Sequence, residues 1–535
     1  MKLNSTTLSR RDFLRVLGGA SAFACLPGWL RAESPHLTTV SLLHTTDLHG
    51  HILPTVTYQG VEDVGGLARC ATQIRAWKRA NPHHLLVDLG DVYQGTQVGL
   101  STRGRIMIDA FNHLNYDAWV IGNHDFDWGI EPVHDALANS SVPVLCANCT
   151  MEGYAPGDFP DDAHPFARMA PFIMKEVAGL KIGFIGVTTT GMPYWLHESQ
   201  YEGMSFLDPV EPVRLAIRQL DDLKADAIVL GGHMGTVRGG DNFGNRVASL
   251  LTEFPQIAIY LAGHTHQDVP ARRVRGVPYT QANYHGIHVG RVDLVFHRET
   301  RTLVDVDSQT FYMDNSVEMD PGILSMAQAD LEEAEQLLAR RVGRLGEPLT
   351  VQSRIARPSG FEELMAAAIA EALHARNVEV DGVVHGVFFA EDPFPAGDQT
   401  IADIWKMVPY ENRIVTARLT RTEIVGMLED LYGGWFRRSL MGMRVDSSGF
   451  GEHLRIHEIY DRNGVPLRPR RRYTIAFNSY DAQSGGRRFM RTRGILRRPS
   501  SEMTAHPVMS RDALIDYFAA RDVVWPSKLG IQEPT

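Results

Sequence analysis

Cysteine is scarce: four among 535 residues, one of them (Cys25) close to the N-terminus. That excludes a scaffold built on disulfides. Cys146-Ala147-Asn148-Cys149 follows the apolar run 142–145 and shows no helix start beside positive charge, where a redox Cys-x-x-Cys sits. It reads as a structural pair or a local disulfide. Basic excess is also missing. Lys and Arg number 53 against 63 Asp and Glu, a net charge of −10, so no nucleic-acid polymer is expected as a partner. No stable membrane span is expected either, because the apolar stretch 16–30 is short and carries glycine. Internal repeats and low-complexity tracts are absent. What remains, at 44% hydrophobic and 22% charged, is ordinary globular composition, long enough for two large domains.

Ser9-Arg10-Arg11-Asp12-Phe13-Leu14-Arg15 precedes that stretch and reads as a twin-arginine export signal. Residues 1–32 would be the signal, with cleavage near Ala32, and the protein periplasmic or secreted. The twin-arginine translocase is then an expected partner during export. Cys25 after Ala22-Phe23-Ala24 also fits a lipoprotein site.

Five short polar clusters each close an apolar run. They are Asp47-Leu48-His49, Gly90-Asp91, Gly122-Asn123-His124-Asp125, Gly232-His233 and Gly263-His264-Thr265-His266. The runs before them (40–43, 85–89, 119–121, 227–230 and 257–262) read as strands covered on both faces. Strand ends in such sheets converge on one edge, where sites form. A single cluster of this kind is usually a loop with polar caps. Five in order, carrying metal-ligand side chains, point to a metal centre. His44, His51, His83 and His84 flank the clusters and read as surface or supporting histidines. Asp88 reads as strand-end structure, and Asp125 as a support for its own loop.

The residue types fit one chemistry. Imidazoles and carboxylates without sulfur suit zinc, manganese or iron. Two divalent ions about 3.5–4 Å apart can clamp the attacking and leaving oxygens of an in-line displacement. A bridging carboxylate reduces their repulsion. With two carboxylates against four positive charges the site stays positive, which favours a small anionic substrate and acidifies water.

These clusters, and Gly122-Asn123-His124-Asp125-Phe126-Asp127 above all, resemble the 5′-nucleotidase family of calcineurin-like metallophosphoesterases. The resemblance implies an α/β fold: a two-layered β-sandwich flanked by helices, plus a C-terminal α/β domain. It implies two divalent metal ions (Mn, Zn or Fe). One would take Asp47, His49, Asp91 and His266; the other Asp91, Asn123, His233 and His264. His124 would stand beside them, stabilise the pentavalent phosphorus and protonate the leaving oxygen, with Asp127 orienting its ring. Metal-activated water would attack phosphorus.

The expected boundaries are a catalytic domain over 36–315, a linker helix within 316–345 and a substrate-binding-like domain over 346–535. Alternating strands and amphipathic helices such as 65–79 and 210–223 support the first, and 320–344 predicts a charged connecting helix. In the second domain, Gly397-Asp398-Gln399-Thr400-Ile401 and Val408-Pro409-Tyr410-Glu411-Asn412 follow the family pattern. By that resemblance Tyr410 and Tyr480 stack on a nucleobase, worth about 1–3 kcal/mol per base. Two family loops are altered. His385-Gly386-Val387-Phe388-Phe389-Ala390-Glu391 lacks the expected Arg, and Gly485-Gly486-Arg487-Arg488 replaces Gly-Gly-Asp-Gly. Phe388 and Phe389 read as core. Arg487, Arg488, Arg491, Arg493, Arg497 and Arg498 form a basic run, either a solvated loop or a seat for a highly charged substrate.

The expected function is an exported dimetal phosphoester hydrolase, 5′-nucleotidase-like. The alternatives are a cyclic-nucleotide phosphodiesterase or nucleotide-sugar hydrolase, a thiosulfohydrolase-like sulfur ester hydrolase, and a non-catalytic binding protein. The sulfur enzyme is not expected to keep Asn123-His124-Asp125 intact, and binding alone needs neither His124 nor Asp127.

Overall fold

A computed structural model describes residues 35–155, 164–351, 358–387, 394–433 and 438–529. The export signal, Cys25 and Phe388-Phe389 lie outside the described residues.

The first part of the chain folds into two large sheets, beside a small pair of Cys149–Met151 with Met204–Phe206. The strands of the large sheets are β1 (Leu37–Thr45), β2 (His84–Asp88), β3 (Ala118–Val120), β4 (Val144–Leu145), β5 (Met169–Ala170), β6 (Phe172–Val177), β7 (Leu180–Thr188), β8 (Ala227–His233), β9 (Ile259–Ala262), β10 (Asp268–Val274), β11 (Val277–Ala282), β12 (His288–His297) and β13 (Leu303–Tyr312). One sheet has the order β13-β12-β1-β2-β3-β4-β5, the other β10-β11-β9-β8-β7-β6. The strands that precede the polar clusters pair in parallel: β1 with β2, β2 with β3, and β8 with β9.

Burial on both faces explains the unbroken apolar runs. Val40, Leu42, Val87, Val120, Val229 and Leu261 pack in the layer between the sheets. Their neighbours face outward: Leu43, Leu86 and Trp119 share a core with the helices Leu67–Ala80 and Arg105–Leu114, while Ile228 and Leu230 share one with the helix Val210–Asp222. Each fully buried side chain of this size contributes about 1.5–3 kcal/mol. Cys146 and Cys149 are disulfide-bonded, one of the two readings of that pair, and Cys70 is buried and free.

The connecting helix is shorter than its charge pattern predicts. It runs Pro321–Leu338, capped by the Asp320 side chain on the Ile323 N–H, and Arg341–Leu345 is a strand instead. The helix therefore stops before the β-branched, glycine-containing segment that follows. Ile323, Ala327 and Ala334 pack into the first core; Leu337 and Leu338 pack against the second. Beyond it lies a five-stranded sheet in the order Ser439–Met441, Gly382–His385, Arg472–Asn478, Arg413–Thr420, Thr504–Met509. This sheet too is covered on both faces: Val383 and Ala476 belong to one core cluster, Val384 and Phe477 to another.

Candidate active site

All five polar clusters meet at one edge of the sandwich. Asp47 N–H bonds Gly90 O and His49 N–H bonds Asp91 O, both at 2.9 Å, tying the loop after β1 to the loop after β2. Across the sandwich, His233 Nδ1 lies 2.7 Å from Leu89 O, and His264 N–H donates to both Asp47 carboxylate oxygens at 3.0 Å. Two ligand groups result, Asp47-His49-His266 and Asp91-His233-His264, with the ligand atoms of each within 4.8 Å of one another. Asp91 Oδ2 is 3.0 Å from His233 Nε2 and 3.7 Å from His49 Nε2, so one oxygen faces a histidine of each group.

The backbone is strained to achieve this. Asp47, His49, Asp91, His264 and His266 have φ between 49° and 72°. Side chains rarely adopt that region, and each instance costs of order 1–3 kcal/mol unless the surroundings enforce it. Glycine permits the close approach. A Cβ on Gly122 would fall 2.2 Å from Asp91 Oδ1, and one on Gly90 (φ 95°) would fall 2.8 Å from His233 Nδ1.

The donor set fits divalent cations. Burial pushes the pKa of His49 and of His264 down to about 3, keeping both rings neutral, the form that binds metal; at His233 burial is outweighed by the Asp91 carboxylate, which pushes the pKa up to about 9, a proton that a cation there would displace. Burial acts to raise the Asp91 pKa, yet the His233 and His124 charges outweigh it and hold it well below the usual range. Asn123 Oδ1 is buried with no hydrogen-bond partner among the described residues. Such an oxygen is expensive to bury unless a cation takes it.

His124 stands apart from both groups. Its Nδ1 lies 2.7 Å from Asp127 Oδ2, and its backbone N–H donates to Asp91 Oδ1 at 2.8 Å. Burial opposes charge on this ring, but the Asp127 and Asp91 carboxylates outweigh it and push the pKa up to about 10. Cations at the adjacent groups would pull that value down. Asp125 accepts the N–H groups of Asp91, Val92 and Gly122, and Asp88 accepts from Thr45 and Gly90, so both are loop supports. His83 is exposed, whereas His44 is fully buried in β1 against Gly290. His285 carries no sequence signal, yet its ring stacks on His51 at 3.7 Å and its backbone N–H donates to Asp47 O.

A cavity of 410 Å³ opens beside this edge. Asn123, His124, Asp127, Trp195 and His264 line one side; Tyr410, Tyr480, Arg438 and Arg488 line the other. Tyr410 lies parallel to His124, with centroids 6.0 Å apart. Arg438 was not legible from sequence. Its Nε donates to Asp481 Oδ2 at 2.8 Å, and its side chain covers Gly386, whose Cβ would meet the Arg438 Cδ at 2.4 Å. A guanidinium therefore sits against Gly386.

The basic run divides. Arg487 lies over Tyr194 and Phe243 at 5.2 and 5.3 Å, and Arg493 over Tyr194 at 4.6 Å. Arg491 pairs with Glu429, Arg497 with Glu198 and Arg498 with Glu423. Arg488 lines the cavity. Most of the run joins the two parts of the molecule or pairs locally, so it is not a single anion seat.

Residues 40–268 match the calcineurin-like phosphoesterase family, and residues 341–493 match the 5′-nucleotidase C-terminal domain. The chain is 31% identical over 299 residues to the snake venom 5′-nucleotidase of Gloydius brevicauda, covering 53% of this chain and 49% of that one. It spans about half the length of such curated relatives, between 45% and 59% for the first three. Protein UshA of Yersinia enterocolitica is 24% identical over 518 residues, covering 87% of this chain and 89% of that one. The crystal structure of a 5′-nucleotidase precursor from Thermus thermophilus shares the fold, with a TM-score of 0.68 at 22% identity, covering 91% of this chain and 97% of that one. Residues 40–268 thus belong to the calcineurin-like phosphoesterase family, and residues 341–493 to the family of 5′-nucleotidase C-terminal domains.

Proposed function

We propose that this protein is a metal-dependent phosphoester hydrolase acting on nucleoside 5′-phosphates. The observation that carries it is Asp91 Oδ2 facing both ligand groups while His124, outside them, lines a cavity walled by Tyr410 and Tyr480. The chain's likeness to 5′-nucleotidases supports the nucleotide as substrate.

Asp47, His49, Asp91 and His266 would hold one divalent ion, and Asp91, Asn123, His233 and His264 the other, with manganese, zinc or iron all suited. Bound there, the ions would supply Lewis-acid charge at phosphorus and acidify the attacking water. The chain's own residues do the rest. The Asp127 hydrogen bond fixes His124 through Nδ1 and leaves Nε2 for the cavity. From Nε2 a proton reaches the leaving oxygen, and a charged ring offsets negative charge gathering on the phosphoryl group. Tyr410 and Tyr480 hold the base by stacking. Arg438 and Arg488 supply guanidinium donors along the same wall.

On this reading 36–315 is the catalytic domain, 316–345 the connector and 346–535 the substrate side. No helix among the described residues is long and apolar enough to cross a membrane. The Ser9–Arg15 motif supports export by the twin-arginine translocase and a working place outside the cytoplasm; normal export of an Arg10→Lys, Arg11→Lys variant would refute that route.

The test is a substrate panel with Mn²⁺ or Zn²⁺: nucleoside 5′- and 3′-monophosphates, cyclic nucleotides, nucleotide sugars and thiosulfate esters. Preference for 5′-monophosphates is expected. Turnover confined to diesters or sulfur esters would replace the proposal with one of those activities, and no turnover of any of them would leave a binding protein.

A further inference from the structure

Three of the four candidate histidine ligands are held from behind through Nδ1. His49 Nδ1 lies 2.9 Å from Gln94 O, and His233 Nδ1 lies 2.7 Å from Leu89 O. His266 Nδ1 instead meets the Tyr58 hydroxyl at 2.9 Å. The opposite nitrogen of each ring faces the ligand groups: His266 Nε2 is 3.3 Å from Asp47 Oδ1 and 3.2 Å from His49 Nε2. A cation takes the lone pair of Nε2, so the proton must sit on Nδ1 and be donated outward. Two of these holds are backbone carbonyls. The third is a single side chain.

Tyr58 reaches His266 from an ordered strap over residues 55–64. Thr55 and Val64 close it with paired backbone bonds of 2.7 and 3.1 Å. Within it, Thr57 N–H donates to Val61 O at 2.8 Å, and the Thr57 hydroxyl accepts the N–H groups of Gln59 and Val61. Tyr58 stacks on Tyr284 with centroids 4.3 Å apart, and its backbone N–H donates to the Tyr284 hydroxyl at 3.0 Å. The strap thus aims the phenol. Tyr58 is nevertheless 63% exposed, so its ring carries little of the core.

We propose that Tyr58 is a positioning residue for the metal centre: its hydroxyl accepts the His266 Nδ1–H, fixing tautomer and ring angle at the Asp47-His49-His266 group. This rests on the dimetal reading above. Groups that orient a ligating imidazole typically account for a 10–100-fold difference in metal affinity.

Tyr58→Phe removes the acceptor and keeps the stack on Tyr284. Metal-free wild type and variant are titrated with Co²⁺, followed by its d–d absorption against a competing chelator. Wild type is expected to take two Co²⁺. The variant is expected to bind one with unchanged affinity and the other about 10–100-fold more weakly, with an unchanged metal-free melting midpoint. In a His266→Asn background, Tyr58→Phe is expected to have no further effect, since the two act through one contact. Unchanged affinities in Tyr58→Phe overturn the proposal. So does equal weakening of both ions, or a lowered metal-free midpoint, which would make Tyr58 a structural residue. Fewer than two Co²⁺ on wild type overturns the dimetal reading itself.

Discussion

At the ligand edge, each functional side chain follows its strand within a few residues, and backbone hydrogen bonds lock the loops together. The cavity wall opposite is assembled otherwise. Arg438 and its partner Asp481 are 43 residues apart, and Arg487 finds Tyr194 and Phe243 in the other part of the chain. The edge is a set of local motifs made convergent by parallel strands. The wall is a set of side-chain pairs made convergent by tertiary packing. On the proposed function, the chemistry sits on the first and substrate recognition on the second.

Substitutions should separate the two. Asp91→Ala is expected to have the largest effect: activity falls to background and elemental analysis drops from two metals per chain, because the shared carboxylate serves both groups. Full activity with one tightly bound metal under saturating conditions would break the comparison at its stronger end. Arg438→Met leaves Asp481 buried without its guanidinium, so the expected cost is about 3–5 kcal/mol in denaturant unfolding, with metal content intact. Metal loss in that variant would show that wall and edge are one unit. Arg487→Ala should matter least. Losing its contacts with Tyr194 and Phe243 should lower stability by about 0.5–1 kcal/mol, with kcat unchanged. A larger drop in kcat would make this contact part of the catalytic arrangement.

The same contrast explains what could be read beforehand. Strands covered on both faces leave unbroken apolar runs, and ligands at their ends leave Asp-x-His and Gly-x-His-x-His, so the edge was visible in the chain. Asp125 and Asp88 were recognisable as supports because loop carboxylates so often accept nearby N–H groups. His285 was not, because its role is a stack and one backbone bond. Nor was Arg438, since nothing local links it to Asp481 or to the loop at Gly386. The connector was overextended because charge and alanine content favour helix up to a point where Arg341–Leu345 gains more by pairing with Gly397–Thr400.

The central claim is that the seven edge residues bind metal and His124 does not. Metal content measured beside kcat for His124→Asn and His264→Asn tests it most directly. The account predicts that His124→Asn keeps both metals while kcat falls by about 10²–10⁴, and that His264→Asn loses metal along with rate. Equal metal loss in the two variants would contradict it and make His124 a ligand.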